Sequence, residues 1–409
     1  MKLRSIKEVK NLKNKKILFR VAYDITLAKK GNGWIVPDNR RIAETIPTIK
    51  YLLKNGCSLV FLSWLKRPDG KVVEKLRMDP VARELSKLLG KKVAKVNDCV
   101  GEEVKNKIAK LKSGELLMLE NVRFHPEEMS GDLKFAKELT EGLDLIVFDA
   151  FAQSHRIHSS TTGIMKYLPS YSGLLLDKEL VYLEKITKDP KKPLTIILGG
   201  AKVSDKINVL RFLSKKADNI LIGGGLANAF LKAIGTEIGA SYVEDVFVDK
   251  AKRAKLDIIS ESKKIYKNSK NIVLPVDMLS AEKIDPKAKT KVVDLEKGEK
   301  IDPNWTFLDI GPKTMKKYSE IIKKSKTILW NGPMGVFEIN KFAKGTKEVS
   351  SAIISTKAVS VIGGGDTESI VRKYHLEGKF THVSTGGGAM LEFLEGKVLP
   401  AVRPLLIKS

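Results

Sequence analysis

The stretch Pro193-Leu194-Thr195-Ile196-Ile197-Leu198-Gly199-Gly200-Ala201-Lys202-Val203-Ser204-Asp205-Lys206 lies near the midpoint of a 409-residue chain. Residues 194–198 form a short β-branched and leucine run that predicts a buried strand. Two glycines end it, and lysines four residues apart follow where a helix would begin. Such a turn suits an anion, because glycine lets backbone N–H groups approach phosphate and a helix start offers unpaired donors, while lysines at i, i+4 spacing can face one ligand. The same residues also fit an ordinary strand, turn and helix with solvated lysines.

On both sides of this stretch, apolar strand runs alternate with amphipathic helical runs, the pattern of an α/β fold with mostly parallel, doubly wound sheets. Before it, strands are expected at 16–21, 58–63, 93–96, 115–120 and 143–149; after it, at 194–198, 219–222, 271–274, 306–310, 327–330, 358–362 and 382–384. Asp79 and Pro80 read as the N-cap and first residue of a helix that Gly90 stops, and a run from Ile42 to Gly56 is helical with a late start or kink at Pro47. A long helix over 175–188, followed by Asp189-Pro190, marks the best boundary. The expected organisation is an N-terminal domain at 1–174, a helix and hinge at 175–192, a second domain at 193–395 and a C-terminal tail at 396–409.

Composition narrows the possibilities. Hydrophobic residues make up 43% and charged residues 30%, and no segment reaches the roughly 18 unbroken apolar residues of a membrane span. The basic N-terminus lacks the apolar core of a secretory signal, so a cytosolic location is expected. Cys57 and Cys99 are the only cysteines, which excludes a disulfide framework and any familiar structural zinc pattern. A net charge of +26 favours anionic partners, but its lysines are dispersed, with no basic tail or aromatic platform, so dedicated nucleic-acid binding is not expected.

In open α/β sheets, ligands bind beyond the carboxyl ends of the strands. In the first half those positions carry arginines: Arg20, Arg67, Arg123 and Arg156. In the second half they carry glycines: Gly199-Gly200 and the triplets 223–225, 363–365 and 386–388. Guanidinium groups pair bidentately with carboxylate and phosphate, which suggests a small, highly anionic metabolite. Bare glycine backbone suggests nucleotide phosphates. Asp366, just after Gly365, fits either a magnesium ligand or a helix N-cap. No P-loop or Gly-x-Gly-x-x-Gly turn is present, which excludes P-loop NTPases and leaves a dinucleotide oxidoreductase a remote reading.

These residues resemble the phosphoglycerate kinase family over nearly the whole chain. The resemblance rests on GGAKVSDK (199–206), IGGGLANAFL (222–231), WNGPMGVFE (330–338), IGGGDT (362–367), VSTGGGAMLEFLEGK (383–397), ENVRFHPEE (120–128) and DAF with a following HR (149–156). It implies reversible phosphoryl transfer between 1,3-bisphosphoglycerate and ADP, with ATP or ADP and Mg2+ bound by the second half and the glycerate by the first. Arg41, Lys202 and Lys206 are implied as catalytic. Ala22, Tyr23, Asp24, Arg41, Trp64, Lys66, Arg67, Arg123, His155 and Arg156 are implied around the phosphoglycerate, with Arg67, Arg123 and Arg156 on its distal phosphate. The implied nucleotide residues are Lys206, Gly223, Gly224, Asn331, Pro333, Val336, Glu338, Gly364, Gly365, Asp366 and Thr367, with Glu338 on the ribose hydroxyls and Asp366 on magnesium. A cytoplasmic monomer is expected, whose domains close over both ligands about the hinge.

The departures fall in the first half. An RVDFNVP-like stretch is RVAYDIT (20–26), an SHLGRP-like turn is SWLKRP (63–68), and a glycine of the DAFGTAHR-like segment is Ala152. Ala22 and Asp24 thus replace two hydroxyl-binding partners, and Trp64 replaces a phosphate-facing histidine, with Lys66 restoring a positive charge and Trp64 packing beside the turn. Two other readings follow: the same chemistry on another phosphorylated carboxylate, and a non-catalytic nucleic-acid binder of this fold.

Overall fold

A computed structural model describes residues 1–249 and 254–407. Its first sheet comprises strands Lys16–Val21 (β1), Ser58–Leu62 (β2), Ala94–Lys95 (β3), Leu116–Met118 (β4), Leu145–Asp149 (β5) and Ser170–Ser172 (β6), in the order β3-β4-β2-β1-β5-β6. Every pairing is parallel. Successive residues of a strand face opposite sides of its sheet. Accordingly Ile17, Phe19, Leu59 and Phe61 enter one hydrophobic core, whereas Leu18, Val60 and Leu62 enter another. Burial on both faces explains why these strands read as unbroken apolar runs.

The second parallel sheet contains Leu194–Leu198 (β7), Asn219–Ile222 (β8), Ile272–Val273 (β9), Thr327–Asn331 (β13), Val359–Ile362 (β14) and His382–Val383 (β15), in the order β9-β8-β7-β13-β14-β15. The stretch expected at 306–310 is a strand, Thr306–Ile310 (β12), but it does not join this sheet. It pairs antiparallel with Asp277–Ala281 (β10), which also pairs with Thr290–Asp294 (β11).

The chain divides into two units, Met1–Val181 with Val398–Ser409, and Tyr182–Lys397. The helix α1, Asp79–Leu89, starts one residue earlier than expected: Met78 is the N-cap, and Asp79 instead forms an ion pair with Lys95 at 3.0 Å. Pro47 separates two helices, Arg40–Ala43 and Ile46–Lys54, because it sits in the first turn of the second, where its missing N–H costs nothing. The helix at the predicted boundary, α2, spans Leu174–Thr187. Among the described residues no helix is long and apolar enough to cross a membrane.

Candidate active sites

Parallel pairing sends the carboxyl ends of β1, β2, β4 and β5 to one edge of the first sheet. The segments leaving them carry Ala22 to Asp24, Ser63 to Arg67, Asn121 to Arg123 and Phe151 to Arg156. Asp24 ties the Lys66 backbone and the Arg41 side chain together: its Oδ1 accepts from the Lys66 N–H at 2.9 Å and its carbonyl accepts from Arg41 Nη1 at 3.1 Å. Arg123 Nη1 donates to the Lys66 carbonyl at 2.7 Å, and Asn121 holds the turn by accepting from the Arg123 N–H and donating to the Leu65 carbonyl.

Arg123 is buried, yet its Nε has no partner. Burial lowers its pKa, and neighbouring Arg156 and Arg67 lower it further against Asp24 and Glu128. Arg67 and Arg156 are exposed and Arg41 is half-buried. His155 is also half-buried, with Nδ1 unpartnered, and burial followed by the Arg156 and His158 charges pulls its pKa down to about 4. It is therefore a neutral imidazole at pH 7. A site with three neighbouring guanidiniums and two unsatisfied buried nitrogens is built to receive an anion with several oxygens.

Several sequence expectations change here. Arg20 lies inside β1, fully buried, and does not reach the edge; its guanidinium bonds the Val21 and Ser160 carbonyls and Gln153 Oε1, and burial lowers its pKa to about 9. Tyr23 points into the core, with its hydroxyl on Thr45 Oγ1 at 2.6 Å. Lys66 Nζ donates to Thr26 Oγ1 at 2.9 Å, so its charge is turned to the β1 loop. Trp64 does more than fill space: the guanidiniums of Arg20 and Arg123 lie 4.5 and 4.1 Å from its ring centroid. Buried Glu128, which accepts from the Ser160 N–H and hydroxyl, balances both cations. Sequence reading missed Glu128, Gln153 and Ser160 because their link to Arg20 is made only in space.

In the second unit, the ends of β7, β8, β13 and β14 converge with almost no side chain. Gly199 N–H donates to the Asn331 carbonyl, Gly200 N–H to the Pro333 carbonyl, and Gly224 N–H to the Met334 carbonyl. Gly224 has φ +58°, and a Cβ there would come within 2.7 Å of the Gly200 nitrogen; at Gly364, φ +101°, a Cβ would meet Asn331 Nδ2 at 2.6 Å. Only glycine lets these turns pack together. Asn331 Nδ2 donates to the Gly363 carbonyl at 2.8 Å, and Thr367 Oγ1 accepts from the Gly332 N–H at 2.7 Å.

Two cavities open on this edge. The first, about 450 Å³, is lined by Lys206, Asn331, Gly364, Gly365, Asp366 and Thr367, among others. The second, about 330 Å³, includes Gly224, Pro333, Val336 and Glu338, and Asp366 borders both. Gly223 lines neither; it caps the helix Gly224–Ala233 and packs on Met334. Asn228 of the helix Gly224–Ala233, Tyr242 of the segment after it and Leu308 of β12 also line the second cavity, and no periodicity in the sequence marks them as facing it.

The lysines differ from their predicted arrangement. Residues 201–206 form turns, and the helix Ile207–Leu213 begins only after Lys206, its N-cap. Lys202 is exposed and lines neither cavity, whereas Lys206 is buried and its pKa is lowered, first by burial, against the attraction of Asp205, Asp366 and Glu244. Glu244 fixes the turn by accepting from the Ser204 N–H and hydroxyl. Asp366 is not a cap: Gly364 is the N-cap of Gly365–Lys373 and the Asp366 carboxylate is exposed. A methyl group on Gly200 would lie 3.6 Å from Lys206 Nζ and 4.0 Å from Asp366 Oδ2, so the bare glycine keeps open the space between a desolvated cation and a carboxylate. One carboxylate with room for phosphate oxygens is a donor set that suits magnesium.

The chain is similar to known proteins over nearly its whole length. The sequence model of the family described as phosphoglycerate kinase matches residues 6–397. The chain is 47% identical over 397 residues to the phosphoglycerate kinase of Dictyoglomus turgidum, covering 97% of this chain and 96% of that protein. It is 45% identical to that of Pseudothermotoga lettingae over the full length of both. Among solved structures, the phosphoglycerate kinase of Coxiella burnetii superposes with a TM-score of 0.84 at 36% identity, covering 99% of each chain.

Proposed function

The chain belongs to the phosphoglycerate kinase family, and from that premise we propose that it transfers a phosphoryl group reversibly between the acyl phosphate of 1,3-bisphosphoglycerate and ADP. In the reverse direction, a carboxylate oxygen of 3-phosphoglycerate forms a bond to the γ-phosphorus of ATP as the bond to the ADP oxygen breaks. No side-chain nucleophile is needed, so positioning and charge neutralisation carry the catalysis.

In this reading Arg67, Arg123 and Arg156 hold the distal phosphate, with the Arg123 Nε and His155 Nδ1 as further donors. The unpartnered state of both nitrogens supports that role. Arg41, held by the Asp24 carbonyl, stands at the carboxyl end of the acid. Lys206, desolvated and pinned through the Ser204–Glu244 contact, neutralises charge on the moving phosphoryl group; exposed Lys202 acts beside it. The bare glycine turns leave the phosphates room against the backbone, and exposed Glu338 accepts from ribose hydroxyls. Asp366 would hold Mg2+, which supplies charge neutralisation to the phosphate oxygens.

The observation that carries the proposal is the opposition of Lys206 and Asp366 across Gly200. The test is steady-state turnover of 3-phosphoglycerate with Mg-ATP in a coupled assay. Turnover that depends on both substrates is expected, and its absence overturns the reading. A cytoplasmic monomer acting in glycolysis or gluconeogenesis goes with it.

A further inference from the structure

On the first unit, a carboxylate, a thiol and an imidazole meet outside the anion site: Asp98, Cys99 and His125 bring their ligand atoms within 4.8 Å of one another. His125 Nε2 lies 2.7 Å from Asp98 Oδ1, and its ring stacks on Phe135 with centroids 5.0 Å apart. The Asp98 loop is itself fixed, since the Cys99 N–H donates to Asp98 Oδ1 at 2.6 Å and the Glu120 N–H donates to the Asp98 carbonyl at 3.2 Å. Cys99 is buried in one core of the sheet, whereas Asp98 and His125 are part-exposed, so the triangle has a dry sulfur corner and a side open to water.

We propose that Asp98, Cys99 and His125 form a binding site for a single divalent ion of the zinc class. Thiolate, imidazole and carboxylate with one open position are the ligands such an ion takes, whereas magnesium demands oxygen ligands. Bond lengths to zinc put neighbouring ligand atoms about 3.5 Å apart, so sulfur draws in from within the 4.8 Å span of the triangle and the His125–Asp98 hydrogen bond opens. On binding, Cys99 releases its proton to solvent, His125 coordinates through neutral Nε2, Asp98 through Oδ1, and water completes the tetrahedron. These residues are distinct from Asp366, assigned above to magnesium.

Metal-free, full-length protein titrated with cobalt(II) chloride and followed by absorbance tests this. A saturable signal at one equivalent is expected, combining a thiolate-to-cobalt charge-transfer band with the visible bands of a four-coordinate ion, displaced by zinc and unaffected by excess magnesium. Cys99→Ala should abolish the charge-transfer band and Cys57→Ala should leave it. Because Cys99 is in a core, His125→Gln on the part-exposed side gives a second reading, with affinity expected to fall about tenfold or more. No saturable band in the parent protein, a band that persists in Cys99→Ala, or unchanged cobalt affinity in His125→Gln would each overturn the proposal.

Discussion

The Arg123 guanidinium sits 4.1 Å from the centroid of the Trp64 ring while its Nη1 donates to the Lys66 carbonyl. Trp64 therefore aims a cation that would otherwise swing in the anion site. Trp64→Leu should raise the KM for 3-phosphoglycerate about twofold to thirtyfold, the equivalent of a cation–π contact worth roughly 0.5–2 kcal/mol. The KM for ATP should hold, and Trp64→Phe should recover part of the loss. Equal KM values for the acid in parent and Trp64→Leu would refute the aiming role.

Lys206→Ala should lower kcat on the order of a hundredfold or more while nucleotide affinity changes little, because a cation on developing phosphoryl charge acts in the transition state. Arg41→Ala should behave alike. Turnover close to that of the parent in either variant would remove that residue from the catalytic set.

Gly224→Ala tests the bare-backbone edge. Its Cβ would sit 2.7 Å from the Gly200 nitrogen and 2.8 Å from the Pro333 oxygen at a φ of +58°, so two turns must separate. A loss of about 1–3 kcal/mol in stability and weaker ATP binding are expected, with 3-phosphoglycerate binding retained. Denaturant unfolding and calorimetric titration would show it.

The pKa of His155 falls from 6.5 to about 4 on folding, through burial first and then the Arg156 and His158 charges. The unfolded chain then binds more protons than the folded one between those values. The contribution is complete above about pH 6.5 and is lost as pH falls toward 4. His155→Gln, which cannot charge, should flatten the decline of Tm of the ligand-free protein over that window. An identical slope in the variant would contradict the assignment.

Asp366→Ala should raise the magnesium concentration needed for half-maximal turnover, since one carboxylate of the proposed ion site is removed. A magnesium dependence identical to that of the parent would exclude Asp366 as a ligand.

How far the sequence could be read depended on range. Strands such as Lys16–Val21 and Leu194–Leu198 stood out to the residue because both faces of a parallel sheet are buried and the apolar run stops where burial stops. Ser170–Ser172 is three polar residues and left no apolar signature. Thr290–Asp294, exposed over its first three positions, carries too little alternation to announce the antiparallel sheet that captures Thr306–Ile310. At the sites, positions following strands were legible because topology sends them all to one edge. Side-chain direction was not: Tyr23 turned inward to Thr45, Lys66 to Thr26, and the Lys202–Lys206 spacing assumed a helix that begins only at Ile207.

Residues 398–407 follow the second unit in sequence, yet they belong to the first: Leu406 bridges Leu3, the Ala401 N–H donates to the Ser154 carbonyl, and the Ile407 N–H donates to the Lys2 carbonyl. During synthesis the first unit thus waits for the entire second unit to be translated before its closing segment exists. Ser154 adjoins His155 and Arg156, so the missing segment is one that buttresses the arginine edge. A nascent chain can thus contain the second unit in full while the first is still short of its last ten described residues.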